Sequence, residues 1–177
     1  MPSFNDFKNA CPSKYDNGQV VCTNIGGGAL TMYNNVANSG FRLNTCALRV
    51  SRALNYSGII IPALPDNPNG TKNTVVGSDG KNYIISAKVL NAWLRKTFGT
   101  NPSNYQHYTA SQGGAHGVGF SPLLANINGI YSMVSLPAIQ HTWATGHADL
   151  LNSNSTCGNH CLFYEAPILR LDVWELN

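Results

Sequence analysis

The chain has 177 residues, 43% of them hydrophobic, which is enough to bury a core and argues against a disordered tail. Only 11% are charged, for a net charge of +3, and the basic residues are scattered rather than clustered along a path for phosphates, which argues against nucleic-acid binding. No apolar run approaches the roughly 20 residues that span a bilayer, and Met1 to Ala10 carries Asp6 and Lys8 where a secretory signal has an apolar stretch. One domain over residues 1–177 is therefore expected, with no membrane insertion and any export by a route other than general secretion.

Residues 2–10 read as a short helix with Phe4 and Phe7 on one side. Residues 18–41 are rich in Gly and Asn, and a helix is expected around Ala29–Ala37 after the Gly26–Gly28 run. Residues 45–56 carry the clearest helical pattern: Thr45 or Asn44 can cap it, and Cys46, Val50, Ala53 and Leu54 share a face, leaving Arg49 and Arg52 to water. Residues 59–85 read as a long loop with a hairpin at Ser78–Gly80. Ser86 precedes a second helix, Ala87–Phe98, with Val89, Leu90, Trp93, Leu94 and Phe98 inward and Gly99 as its stop. Residues 100–121 read as polar loop. From Asn128 the period becomes that of strands, at Gly129–Leu136, Gly146–Leu151 and Ile168–Leu176. Helices first and an antiparallel sheet second is an α+β pattern.

Five cysteines are present: Cys11, Cys22, Cys46, Cys157 and Cys161. Cys157 can bridge Cys161, and Cys11 can bridge Cys22 across a turn-like stretch, which leaves Cys46 as the free thiol and implies an oxidising place of work; five reduced thiols are the alternative. Cys46 lies in the first turn of its helix. Unpaired N–H groups and the helix dipole there favour a thiolate, and the same N–H groups can hold an oxyanion. A buried, inert core cysteine is the bland alternative.

A thiol nucleophile needs a base. Of the histidines, His147 stands at the start of a predicted strand, which fixes its side chain. His107 and His116 fall in polar loop and suit a solvated role, while His141 and His160 are weaker competitors for the base. The group that orients the base is Asp149, on the same strand face as His147, or Asn159 or His160 between Cys157 and Cys161. Zinc held by Cys157, His160, Cys161 and His147 is a competing chemistry, but C-x-x-H-C lacks the usual C-x-x-C spacing.

The stretches NTCALRVSRALN at 44–55, ATGHADL at 144–150 and VWEL at 173–176 resemble the fourth family of type VI secretion amidase effectors, with a weaker likeness at PSFND near the N-terminus. The resemblance implies a papain-like, NlpC-type cysteine hydrolase without a cofactor, its N-terminal helices packed on an antiparallel sheet. It implies delivery by the type VI machinery into the periplasm of rival Gram-negative cells, cleavage there of the γ-D-glutamyl–meso-diaminopimelate amide of peptidoglycan stem peptides, and a cognate immunity protein that occludes the site. It matches Cys46 to the family nucleophile and His147 to the base. The family's third residue is an aspartate between two cysteines, where this chain has Asn159. A thiol peptidase or acyltransferase acting on proteins, and a non-catalytic binding protein with bridged or zinc-bound cysteines, are the other classes the residues admit.

Overall fold

A computed structural model describes residues 1–101, 103–114, 117–135, 146–153 and 168–177. The predicted Cys157–Cys161 bridge, Asn159, His160, His116 and His141 lie outside these residues.

Helix α1, Phe4–Ala10, begins with Ser3 accepting the Asp6 N–H at 3.1 Å and buries Phe7. The region expected to hold one helix holds two: α2, Gly18–Ile25, and α3, Gly27–Asn38. Asn17 caps α2 by accepting the Val20 N–H at 3.0 Å. Gly26 and Gly27 separate the helices at φ 68° and 52°, a left-handed pair that L side chains resist. The freed Ile25 carbonyl then accepts from both the N–H (2.9 Å) and the hydroxyl (3.0 Å) of Ser78.

Helix α4, Cys46–Tyr56, starts within a residue of the predicted position and is the most buried of the helices. The expected hairpin is present as strands β1, Thr74–Val76, and β2, Asn82–Ile84. Asn55 ties α4 to it, donating to the Asn82 carbonyl at 2.8 Å. Helix α5, Ala87–Phe98, matches the prediction end to end, with Leu90 and Leu94 fully buried and Val89, Trp93 and Phe98 half-buried against the same core.

Residues 100–121 depart from the loop reading. They form strand β3, Tyr105–Thr109, and the short helices α6, Ala110–Gly113, and α7, Phe120–Leu123. Strands β4, Gly129–Ser135, β5, Gly146–Leu151, and β6, Ile168–Glu175, follow. The sheet runs in the order β3-β6-β4-β5, antiparallel throughout.

Strand pleating divides the core. Ile130, Ala148 and Trp174 face α1, α4 and α5, in one cluster with Phe7, Val50, Leu54, Leu90 and Leu94. Tyr131, Met133, Leu151, Leu171 and Val173 face Phe120 and Leu124 on the other side. Helices against an antiparallel sheet are the α+β arrangement expected from the sequence. Among the described residues, no helix is long and apolar enough to cross a membrane.

Candidate active site

Cys46 is the first residue of α4, 5% exposed, with its side chain against the edge of the sheet. The N–H groups of Ala47, in the first turn, and of Ala148, on β5, both donate to its sulfur. Its own N–H donates to Asn44 Oδ1 at 3.0 Å, so the cap comes from Asn44 two residues upstream. That N–H was expected to be open for an oxyanion, and here Asn44 occupies it.

Burial dominates the electrostatics of the thiol. It drives the pKa up, and the Asp149 charge adds to it; the two N–H groups and the Arg49 charge pull the other way without winning. The result is a thiol raised from 9.0 to about 11. Burial thus opposes the thiolate that the helix start was expected to favour.

Cys46 opens into a cleft of about 590 Å³ whose lining includes Lys14, Tyr15, Arg42, Arg49, His147 and Asp149. His147 and Asp149 are on β5, an edge strand, and as predicted they share a strand face. They pair with Met133 and Tyr131, and the His147 ring centroid lies 5.9 Å from that of Tyr131. Ala148 between them points into the helix-side core beside Cys46. The edge position lets one strand serve both the core and the cleft.

Two sequence expectations fail here. Cys11 and Cys22 are not bridged; both are free thiols, as is Cys46. Cys22 is sealed among Val21, Ile25, Leu48 and Tyr83, whereas Cys11 caps α1 and packs on the cluster that holds Cys46. Different cores hold them apart, and so Cys46 is distinguished by its cleft and not by being left over. Arg49 and Arg52 do not simply face water. Arg49 donates to the carbonyls of Ser13 (3.1 Å) and Asp16, and Arg52 to that of Ala10 (2.6 Å). Arg49 fastens the segment between α1 and α2 onto α4, and Arg52 the end of α1.

His107 keeps the exposed side chain expected of it, 43% open to solvent, but stands on β3 and not in a loop. Its Nδ1 lies 2.9 Å from Oδ1 of Asp172, a fully buried carboxylate on β6. Asn91, Arg95, Tyr105 and Arg170 converge on the same carboxylate. Among the described residues no group of three or more His, Cys, Asp or Glu is arranged to hold a metal, and the zinc reading turns on Cys157, His160 and Cys161 outside them.

A family model for the type VI secretion system amidase effector protein 4 matches residues 43–170, a span that contains α4, the cleft histidine and most of the sheet. The chain belongs to this family. It is thus an amidase effector of the type VI secretion system. Solved structures agree over the full length. The effector in the Tae4–Tai4 effector–immunity complex from Enterobacter cloacae is 26% identical with a TM-score of 0.71, covering 100% of this chain and 99% of that one. The same organism's Tae4 alone gives 26% and 0.69, covering 100% and 98%. Tae4 from Salmonella typhimurium, bound to the E. cloacae Tai4, gives 24% and 0.69, covering 100% of both chains. No curated protein is similar enough in sequence to match.

The sequence reading missed Lys14 and Arg42 as members of the cleft. They stand 32 and 4 residues before Cys46, and only the fastening of residues 13–16 by Arg49 reveals that the first of them belongs there.

Proposed function

We propose that this effector hydrolyses the γ-D-glutamyl–meso-diaminopimelate amide of peptidoglycan stem peptides through a thioester on Cys46. One observation carries the reading: the Cys46 thiol, at a helix start, opens into the same cleft as His147 and Asp149. His147 takes the thiol proton as the sulfur attacks the γ-carbonyl. The tetrahedral intermediate collapses to a thioester, and the protonated ring gives its proton to the departing diaminopimelate amine. Water, deprotonated by the same ring, then releases the glutamyl carboxylate.

Burial raises the thiol to about 11, and in this reading its proton passes to His147 as the sulfur attacks. The Ala47 and Ala148 N–H groups stabilise the sulfur as its charge develops. Asp149 serves as the group that orients His147, with Asn159 and His160 as the other members of that set. The substrate locates the activity in the periplasm of target Gram-negative cells. The resemblance to effectors solved with Tai4 supports a cognate immunity protein seated over the cleft. Residues 1–177 act as one catalytic domain.

Purified sacculi digested with wild type and with Cys46→Ala, then resolved as muropeptides, test the reading. Wild type is expected to release a new free diaminopimelate amine and Cys46→Ala none. Equal digestion by the two proteins, or digestion by neither, removes it.

A further inference from the structure

The cleft beside Cys46 holds two cations that the reaction above leaves unused. Lys14 and Arg42 are both exposed on its wall, and among the described residues neither pairs with a carboxylate. The third cation of the wall, Arg49, is committed to the Ser13 and Asp16 carbonyls. Two carboxylates also line the cleft: Asp16, which accepts the Ser13 N–H at 3.1 Å, and Asp149, which accepts the Leu150 N–H at 2.8 Å. The Arg49 bonds fix the turn that carries Lys14 to the helix that carries Cys46. Lys14 Nζ rests 5.1 Å from the centre of the exposed Tyr15 ring, which holds the ammonium near the cleft without neutralising it. Arg42 sits in the segment that leads directly into α4.

A γ-glutamyl amide differs from an ordinary peptide bond in one respect that such a wall can read. Its α-carboxylate stays free, four bonds from the scissile carbonyl carbon. We propose that Lys14 and Arg42 form a carboxylate subsite that holds this group and sets the specificity of the cleft for γ-glutamyl over α-amidated stems. The inference rests on the proposed substrate. Two charge-assisted bonds to one carboxylate, in a cleft open to water, correspond to roughly a 10-fold preference or more in kcat/KM.

The test compares two synthetic stem tripeptides, one with D-glutamate and one with its α-amide, D-isoglutamine, ahead of diaminopimelate. Wild type is expected to favour the free acid, chiefly through a lower KM. Lys14→Gln with Arg42→Gln is expected to raise KM for the acid until the two peptides are cleaved alike, whereas the charge-preserving Lys14→Arg with Arg42→Lys keeps the preference. Equal cleavage of both peptides by wild type, or a preference that survives the Gln double variant, overturns the subsite while leaving the amidase reading standing. Failure of wild type to cleave either peptide overturns both.

Discussion

His107 Nδ1 and Asp172 Oδ1 lie 2.9 Å apart at directly paired positions of β3 and β6, and they anchor a network on the helix-facing side of the sheet. Asn91 and Arg95 reach the carboxylate from α5 at 2.8 Å each, Tyr105 at 2.5 Å and Arg170 at 3.1 Å. A carboxylate with no exposure to water is tolerable only when every lone pair is used, and here two guanidinium groups oppose its charge. Asp172→Asn keeps the shape but removes the charge that the two arginines face, leaving Arg95 its bond to Tyr105 and Arg170 its bond to Asn91. Both arginines are about a third exposed, which softens the penalty, and a loss of about 3 kcal/mol is expected in urea unfolding.

The same residue fixes a sign for pH. Burial pushes the Asp172 pKa up, but the bonds from Tyr105, Asn91 and His107 and the charge of Arg95 outweigh it and hold the value below 3.8. A depressed carboxylate contributes stability that is present above the unfolded value and lost as pH falls through the folded one. The wild-type unfolding midpoint is thus expected to drop as pH falls below about 4, with a shallower fall in Asp172→Asn. Parallel curves for the two proteins would contradict the network.

The elements legible in the sequence are those with a strong internal period. Helices α4 and α5 and strands β4 to β6 announce themselves through apolar spacing, and each was placed to within a residue or two. Strand β3 was not legible because YQHYT is a polar edge strand. Its partners are Trp174, Asp172 and Arg170, some 60 or more residues away, and its polar side chains are satisfied only across that pairing. Helix α2 was hidden for a related reason, since its three buried residues, Val21, Cys22 and Ile25, gain their core from α4 and β2. At the site, Cys46 and His147 were legible because their local settings, a helix start and a strand start, are local facts. The Arg49 anchor and the thiol's desolvation depend on what packs over them.

The thiols supply a second pH prediction. Burial raises Cys46 and Cys22 from 9.0 to about 11 and raises Cys11 further. Alkylation of native Cys46 by iodoacetamide is expected to be slow at neutral pH and to rise about tenfold per pH unit toward about pH 11, since only the thiolate reacts. A rate already level near neutral pH would mean a resting thiolate–imidazolium pair. Stability carries the matching sign. Between about pH 9 and about 11 the unfolded chain sheds thiol protons that the folded chain keeps, so stability falls as pH rises through that window.

Arg49 links the helix that begins with Cys46 to the cleft wall. It lies one turn after Cys46 and donates to the Ser13 and Asp16 carbonyls, so Arg49→Met removes the bonds that hold residues 13–16 while keeping the apolar stem. Amide hydrogen exchange in that segment is expected to quicken by on the order of 10-fold, with smaller changes in β4 and β6. Amidase activity is expected to fall chiefly through KM. Unchanged exchange in residues 13–16 would show that the anchor is dispensable.

Gly146 governs how β5 presents His147. Its φ is 153°, and a Cβ built there would lie 2.1 Å from the Met133 carbonyl oxygen, a backbone atom that cannot swing aside. Gly146→Ala must therefore push the start of β5 away from β4 at the position next to His147. The strand loses ladder bonds at an edge, which is expected to lower stability by about 1–3 kcal/mol. If His147 is the base as proposed, the larger effect is expected on catalysis, because a displacement of about 1 Å in a catalytic group can reduce turnover by about 100-fold. The measurement pairs a thermal melt with sacculus digestion. A variant that melts early yet digests at the wild-type rate per folded molecule would show that the β5 start does not position His147.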